Sequence, residues 1–64
     1  MSTPQERAAL AAVKLTAQAM LVAARDYAAG EISRDDYLAA RMVAEYAEAD
    51  LADAIEAARQ ERAA

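Results

Sequence analysis

The chain contains no Cys, no His, no Trp and no Phe, and it has a single Gly and a single Pro. Each absence removes a class of chemistry. Without Cys there is no disulfide, no thiolate nucleophile and no thiolate metal site; without His, most transition-metal sites are lost. The side chain best suited to proton transfer near neutral pH goes with it. One glycine cannot build a phosphate-cradling loop. A basic surplus is missing too: seven Lys and Arg stand against eleven Asp and Glu, for a net charge of −4. That balance argues against a generic binder of nucleic acid or of anionic membranes.

A long hydrophobic run is also lacking. The best window, residues 8–24, is mostly Ala and carries Lys14 and Gln18, whereas a membrane span needs ~20 strongly apolar residues. Ahead of it Glu6 offsets Arg7, and the apolar stretch before Lys14 is only "AALAAV", a poor match to a signal peptide. The expected location is the cytoplasm, with no membrane segment. At 64 residues the chain is one domain at most. Such a chain buries only roughly 60% of its unfolded surface and needs help to fold. Disulfides are excluded and a metal has few ligands, so association with another chain is the expected remedy.

What is present is helix. Alanine accounts for 21 residues, and Leu, Met, Gln, Glu and Arg are good helix formers as well. "STPQE" reads as a helix start, with Thr3 as N-cap, Pro4 in the first turn and Glu6 closing a capping box. Gly30 suits the left-handed residue that ends a helix. Ser33 then restarts the pattern, with Asp36 reaching back in a second capping box and Ile32 and Tyr37 placed as a hydrophobic staple. The expected fold is all-α: a single helical-hairpin domain over residues 1–64, with helix 1 about 4–29, a turn at 30–32 and helix 2 about 33–62. So short a turn should fold the helices back antiparallel; a single unbroken helix is the alternative, disfavoured by Gly30 and the fresh cap at Ser33.

Periodicity assigns faces. Helix 1 is expected to present Leu10, Val13, Ala17, Met20, Leu21, Ala24 and Ala28 to the seam, flanked by Tyr27. Helix 2 answers with Tyr37, Ala40, Ala44, Ala47, Leu51, Ala54 and Ala58, with Ile55 alongside. A polar stripe of Arg7, Lys14, Gln18 and Arg25 then lies beside a stripe of Arg41, Glu45, Glu48, Glu56 and Arg59, bringing Lys14 level with Glu48 and Arg7 level with Glu56. Both helices carry surplus apolar surface: Ala8, Ala12, Leu15, Ala19 and Val22 on the first, and Leu38, Met42, Tyr46 and Ala49 on the second. A lone hairpin leaves Leu15, Val22, Leu38, Met42 and Tyr46 in water, and contiguous exposed apolar surface marks an interface. Leu15, Ala19, Val22, Leu38, Met42 and Tyr46 are therefore the candidate interface for a homodimer, most simply a four-helix bundle, or for another protein. Which stripe faces inward is not decided by periodicity.

No catalytic constellation is evident. Ser2 and Ser33 lack a nearby base. Glu45 and Glu48 share a helix face as the carboxylates of di-metal bundles do, but those sites also use His three residues from a Glu. The chain is expected to be no enzyme, with no cofactor and no metal.

Two stretches resemble known families. "AAGEISRDDYLAAR", residues 28–41, looks like the SHOCT-type short module, in which a Gly, an apolar residue, a Ser or Thr cap, acidic residues, an aromatic and a basic residue open a short helix. That resemblance implies an oligomerisation or interaction helix pair. In length and layout the chain resembles the Rop family of hairpins, which dimerise into four-helix bundles and bind paired RNA loops. Gln5, Glu6, the Ala8–Ala12–Leu15–Ala19–Val22 stripe, Gln18 and Arg25 fit that layout. Lys14 stands where the RNA-facing aromatic is expected, and helix 2 departs from the family pattern.

Three functional readings follow. The first is a non-catalytic helical oligomer that binds another protein as a regulator, adaptor or inhibitor, of the kind phages and mobile elements direct against host proteins. The second is a Rop-like RNA binder using Arg7, Lys14, Gln18 and Arg25. The third is an acidic mimic of nucleic acid built on Glu45, Glu48 and Glu56 with Asp50 and Asp53.

Overall fold

The computed structural model describes residues 2–63 and consists of two helices, α1 (Pro4–Ala28) and α2 (Arg34–Ala63), folded back on each other as a hairpin. Residues 1 and 64 of the expected domain lie outside the described residues. The start of α1 is built as its residues demand. The Thr3 hydroxyl accepts from the Glu6 amide at 3.0 Å, and the Glu6 carboxylate accepts from the Thr3 amide at 3.0 Å. Both partners of the capping box are in place.

At α2 only half of that motif forms. The Ser33 hydroxyl accepts from the Asp36 amide at 3.1 Å, but among the described residues the Asp36 carboxylate makes no return bond to the Ser33 amide. Asp is one methylene shorter than Glu, and the reciprocal bond needs that reach. The other end of α1 closes as a Schellman motif. The Glu31 amide donates to the Asp26 carbonyl at 2.8 Å and the Gly30 amide to the Tyr27 carbonyl at 3.0 Å. Gly30 takes φ 76°, the left-handed conformation that this closure requires.

Two contacts pin the hairpin near its ends. By the corner, the rings of Tyr27 and Tyr37 stack with centroids 5.0 Å apart and planes 15° from parallel. At the open end, Arg62 reaches Glu6 at 4.0 Å. These pairs join early α1 to late α2 and late α1 to early α2, so the helices are antiparallel. The result is a slab with extents of 51 × 17 × 11 Å.

Between the pins lies a seam of small side chains. Its buried residues are Ala23 on α1 and Ala47, Ala54 and Ala58 on α2, and no side chain larger than Ala is buried among the described residues. Half-buried neighbours complete it: Ala9, Val13, Thr16, Met20 and Ala24 on one side, Tyr37, Ala40, Ala44 and Leu51 on the other. The α2 seam is the expected one, with Ile55 at its exposed edge. The α1 seam is not. Leu10, Ala17, Leu21 and Ala28 are exposed, and the contacting face is turned by about 60° on the helical wheel from the expected one. Alanine methyls opposite let the backbones approach closely, so the residues facing them must themselves be compact or flexible. Ala9, Thr16 and Ala23 meet that condition where Leu10 and Leu21 do not. Thr16 fits because its hydroxyl donates back to the Ala12 carbonyl at 2.8 Å and lies 3.1 Å from that of Val13, asking nothing of α2.

Two substitutions test this account. Nothing lies within 4 Å of a Cβ built on Gly30, so Gly30→Ala should cost about 1 kcal/mol through backbone strain alone, with Gly30→Asn less harmful. Ala54 is 2% exposed at the seam, and Ala54→Leu should cost about 1–3 kcal/mol by forcing the helices apart. Thermal melts at one fixed protein concentration check both, each kcal/mol lowering Tm by roughly 4–8 °C in a chain of this size.

Candidate interaction surface

The turned seam decides where every other residue of α1 points. Arg7, Lys14, Gln18 and Arg25 fall on the back of α1, away from α2. Accordingly, among the described residues no ion pair joins Lys14 to Glu48 or Arg7 to Glu56. The expected inter-helix register of those stripes is replaced by the Glu6–Arg62 pair. Arg7 instead donates to the Ser2 carbonyl at 3.0 Å, and Arg25 lies 3.9 Å from its neighbour Asp26. On α2 the charges pair along their own helix, Arg41 with Glu45 at 3.4 Å and Arg59 with Glu56 at 3.6 Å. Two of the three carboxylates expected to form an acidic face are therefore partnered by arginines.

The apolar residues outside the seam are the dominant surface feature. Among the described residues nine large apolar side chains are exposed, Leu10, Leu15, Leu21, Val22 and Tyr27 on α1 and Met42, Val43, Tyr46 and Ile55 on α2; Tyr27 and Ile55 border the seam and the other seven lie outside it. Of the six candidate interface residues, Leu15, Ala19, Val22, Met42 and Tyr46 are exposed. Leu38, in the second turn of α2, is half-buried, so it does not stand in water as expected. Leu10, Leu21 and Val43 are additions. Leu10 and Leu21 are residues expected in the seam, and Val43 lies between the seam and the outer stripe of α2, where a strict 3-4 pattern gives it no role.

Two right-handed antiparallel helices give the slab two broad sides, and helical geometry sorts residues between them. Glu6 and Arg62 mark one. It carries Leu10, Ala17 and Leu21 from α1 and the charged Arg41, Glu48 and Arg59 from α2. The other is marked by an open groove lined by Thr3, Pro4, Gln5, Ala57, Ala58 and Glu61. It carries Ala8, Ala12, Leu15 and Ala19 from α1 and Ala39, Val43, Tyr46 and Asp50 from α2, with Val22 at its outer edge. Met42 points out from the back of α2, where a shallow hollow is bordered by Met42, Glu45, Tyr46 and Ala49. The six candidate residues thus do not form one patch. Leu15, Ala19 and Tyr46 share a side; Leu38 and Met42 do not join them.

No group of three or more Asp or Glu side chains converges closely enough to hold a metal among the described residues. By length and composition alone, α1 is long and apolar enough to cross a membrane, and Ala23 is its one buried residue. The central helix of a soluble bundle has the same character. No known protein family, curated protein or solved structure matches the chain. The fold and its surface define a class, a two-helix antiparallel hairpin with apolar residues on more than one outer face.

The end clasp yields a test. Glu6 serves both the capping box and the ion pair with its side chain 14% exposed, while the Arg62 side chain is 59% exposed. Glu6→Ala should cost about 1 kcal/mol through the cap. Arg62→Ala should cost less than about 0.5 kcal/mol, the small effect of an exposed pair. Melts of the two single variants and the double variant separate the contributions.

Proposed function

We propose that this chain is a non-catalytic helical module that works by binding proteins, first a second copy of itself in a two-hairpin, four-helix bundle, and through that bundle another protein as a regulator, adaptor or inhibitor. The observation that carries the reading is the imbalance between core and surface. Among the described residues the buried side chains of the hairpin are four alanines, while nine large apolar side chains are exposed, seven of them outside the seam. Water tolerates scattered apolar residues, but a core this thin beside that much exposed surface is one half of a larger core. The charges of Lys14 and Gln18's amide on α1, and the acidic outer surface of α2, favour a soluble bundle in the cytoplasm over a lipid environment.

Light scattering should give twice the chain mass of 6.8 kDa at micromolar concentration. Because folding is then linked to association, Tm should rise with protein concentration. A folded species at the single-chain mass, with Tm constant over a hundredfold dilution, would falsify the reading.

A second reading is favoured by one observation. Arg7, Lys14, Gln18 and Arg25 are exposed and unengaged by Glu45, Glu48 or Glu56, which leaves this stripe open to an RNA backbone. Two copies would double the cationic contacts. A titration against structured RNA decides it: binding that weakens steeply with salt is expected of this reading, and no binding at about 50 mM salt removes it.

A further inference from the structure

We infer that the broad side bearing Leu15 and Ala19 of α1 with Val43 and Tyr46 of α2 is the face a second copy covers, a refinement that rests on the self-association proposed above. The area is of the right size. A compact monomer of 6.8 kDa exposes about 4,000 Å². The hairpin exposes 4901 Å², an excess of roughly 900 Å² over that norm. A standard interface removes ~800 Å² from each partner. Covering one broad side of a 51 × 17 Å slab with another copy therefore returns each chain to the surface of an ordinary small protein.

Charge selects the side. Each copy carries −4, and most of the acidic residues sit on α2, so two copies must meet where like charges do not face each other. The side marked by Glu6 and Arg62 is of mixed sign, and docking there would take Arg41, Glu48 and Arg59 of α2 out of water at a cost in desolvation. The back of α2 is acidic, with Glu45 bordering Met42 and with Asp53 and Glu56 further along the helix. On the groove side, the middle of α1 from Ala12 to Val22 and the first half of α2 from Ala39 to Tyr46 present no charge, and Asp50 and Glu61 lie beyond that stretch. Shape agrees with charge. Leu15 at 68% exposure and Tyr46 at 65% project beside the small Ala12, Ala19 and Ala39, the knob-and-recess relief from which close helix packing is made. Docking there leaves Leu10, Leu21 and Met42 uncovered, available to a partner of a different kind.

The chain has no native Cys, so single cysteines report the face directly. Ala19→Cys and Val43→Cys sample the proposed side, Leu21→Cys and Glu48→Cys the opposite side, and Met42→Cys the back of α2. Each variant is treated with a short bismaleimide at micromolar concentration. Circular dichroism confirms helicity, and light scattering is run in parallel. The expected result is a covalent dimer from Ala19→Cys and Val43→Cys in at least about tenfold excess over the other three, since reaction requires short thiol separation. Preferential coupling at Leu21, Glu48 or Met42 in a particle of twice the chain mass overturns the assigned face and leaves self-association standing. A single-chain mass with no coupling at any position overturns both. Coupling seen only after adding phosphatidylcholine vesicles assigns the apolar surface to lipid and overturns both as well.

Discussion

The close approach of two backbones across alanine is the constraint from which the rest of this structure follows. Ala23, Ala47, Ala54 and Ala58 are the buried residues among those described, and their methyl groups admit only compact or pliable neighbours. A seam so narrow aligns the helices well and hides little. Branched and aromatic side chains that would fill the core of a larger domain are displaced to the flanks and backs of both helices. The pins near the ends, a tyrosine stack by the corner and an ion pair at the open end, hold alignment without adding apolar burial of consequence.

Apolar surface and charge are distributed differently as a result. On α2 the arginines pair with glutamates one turn away on the same helix, which stabilises the helix itself and leaves the neighbouring helix out. On α1 the cations face outward, away from α2. Electrostatics therefore contribute little to holding the hairpin shut.

Legibility in the sequence varied with how local the determinant was. The helix starts at Thr3 and Ser33 and the stop at Gly30 depend on hydrogen bonds within a few residues, and they could be read from spacing alone. Even there, the incomplete box at Asp36 shows that a motif's pattern does not guarantee its geometry when the side chain is a methylene short. The α2 seam was legible because the stripe from Tyr37 through Leu51 to Ala58 runs along most of the helix, whereas the second stripe of Leu38, Met42, Tyr46 and Ala49 stops near its middle. The α1 seam was not, because Ala, Leu and Val surround that helix on nearly all sides and a period of 3.6 then has no preferred phase. Leu10 and Leu21 look like core residues by type; only the alanines opposite make them too large. With the phase wrong, the Lys14–Glu48 and Arg7–Glu56 registers were wrong too. The candidate surface was legible as a surplus and illegible as a shape, since grouping Leu15 with Tyr46 and separating Met42 needs both helices in place.

By itself, then, the sequence determined that the chain is helical, where it turns, and that its apolar content exceeds what one hairpin interface can hide, because capping, turn closure and composition act at short range. The tertiary structure alone decided which side of α1 meets α2, which charges pair, and which apolar residues end up as neighbours. Those outcomes depend on how near two helices can come, and that distance is set jointly by residues some thirty positions apart.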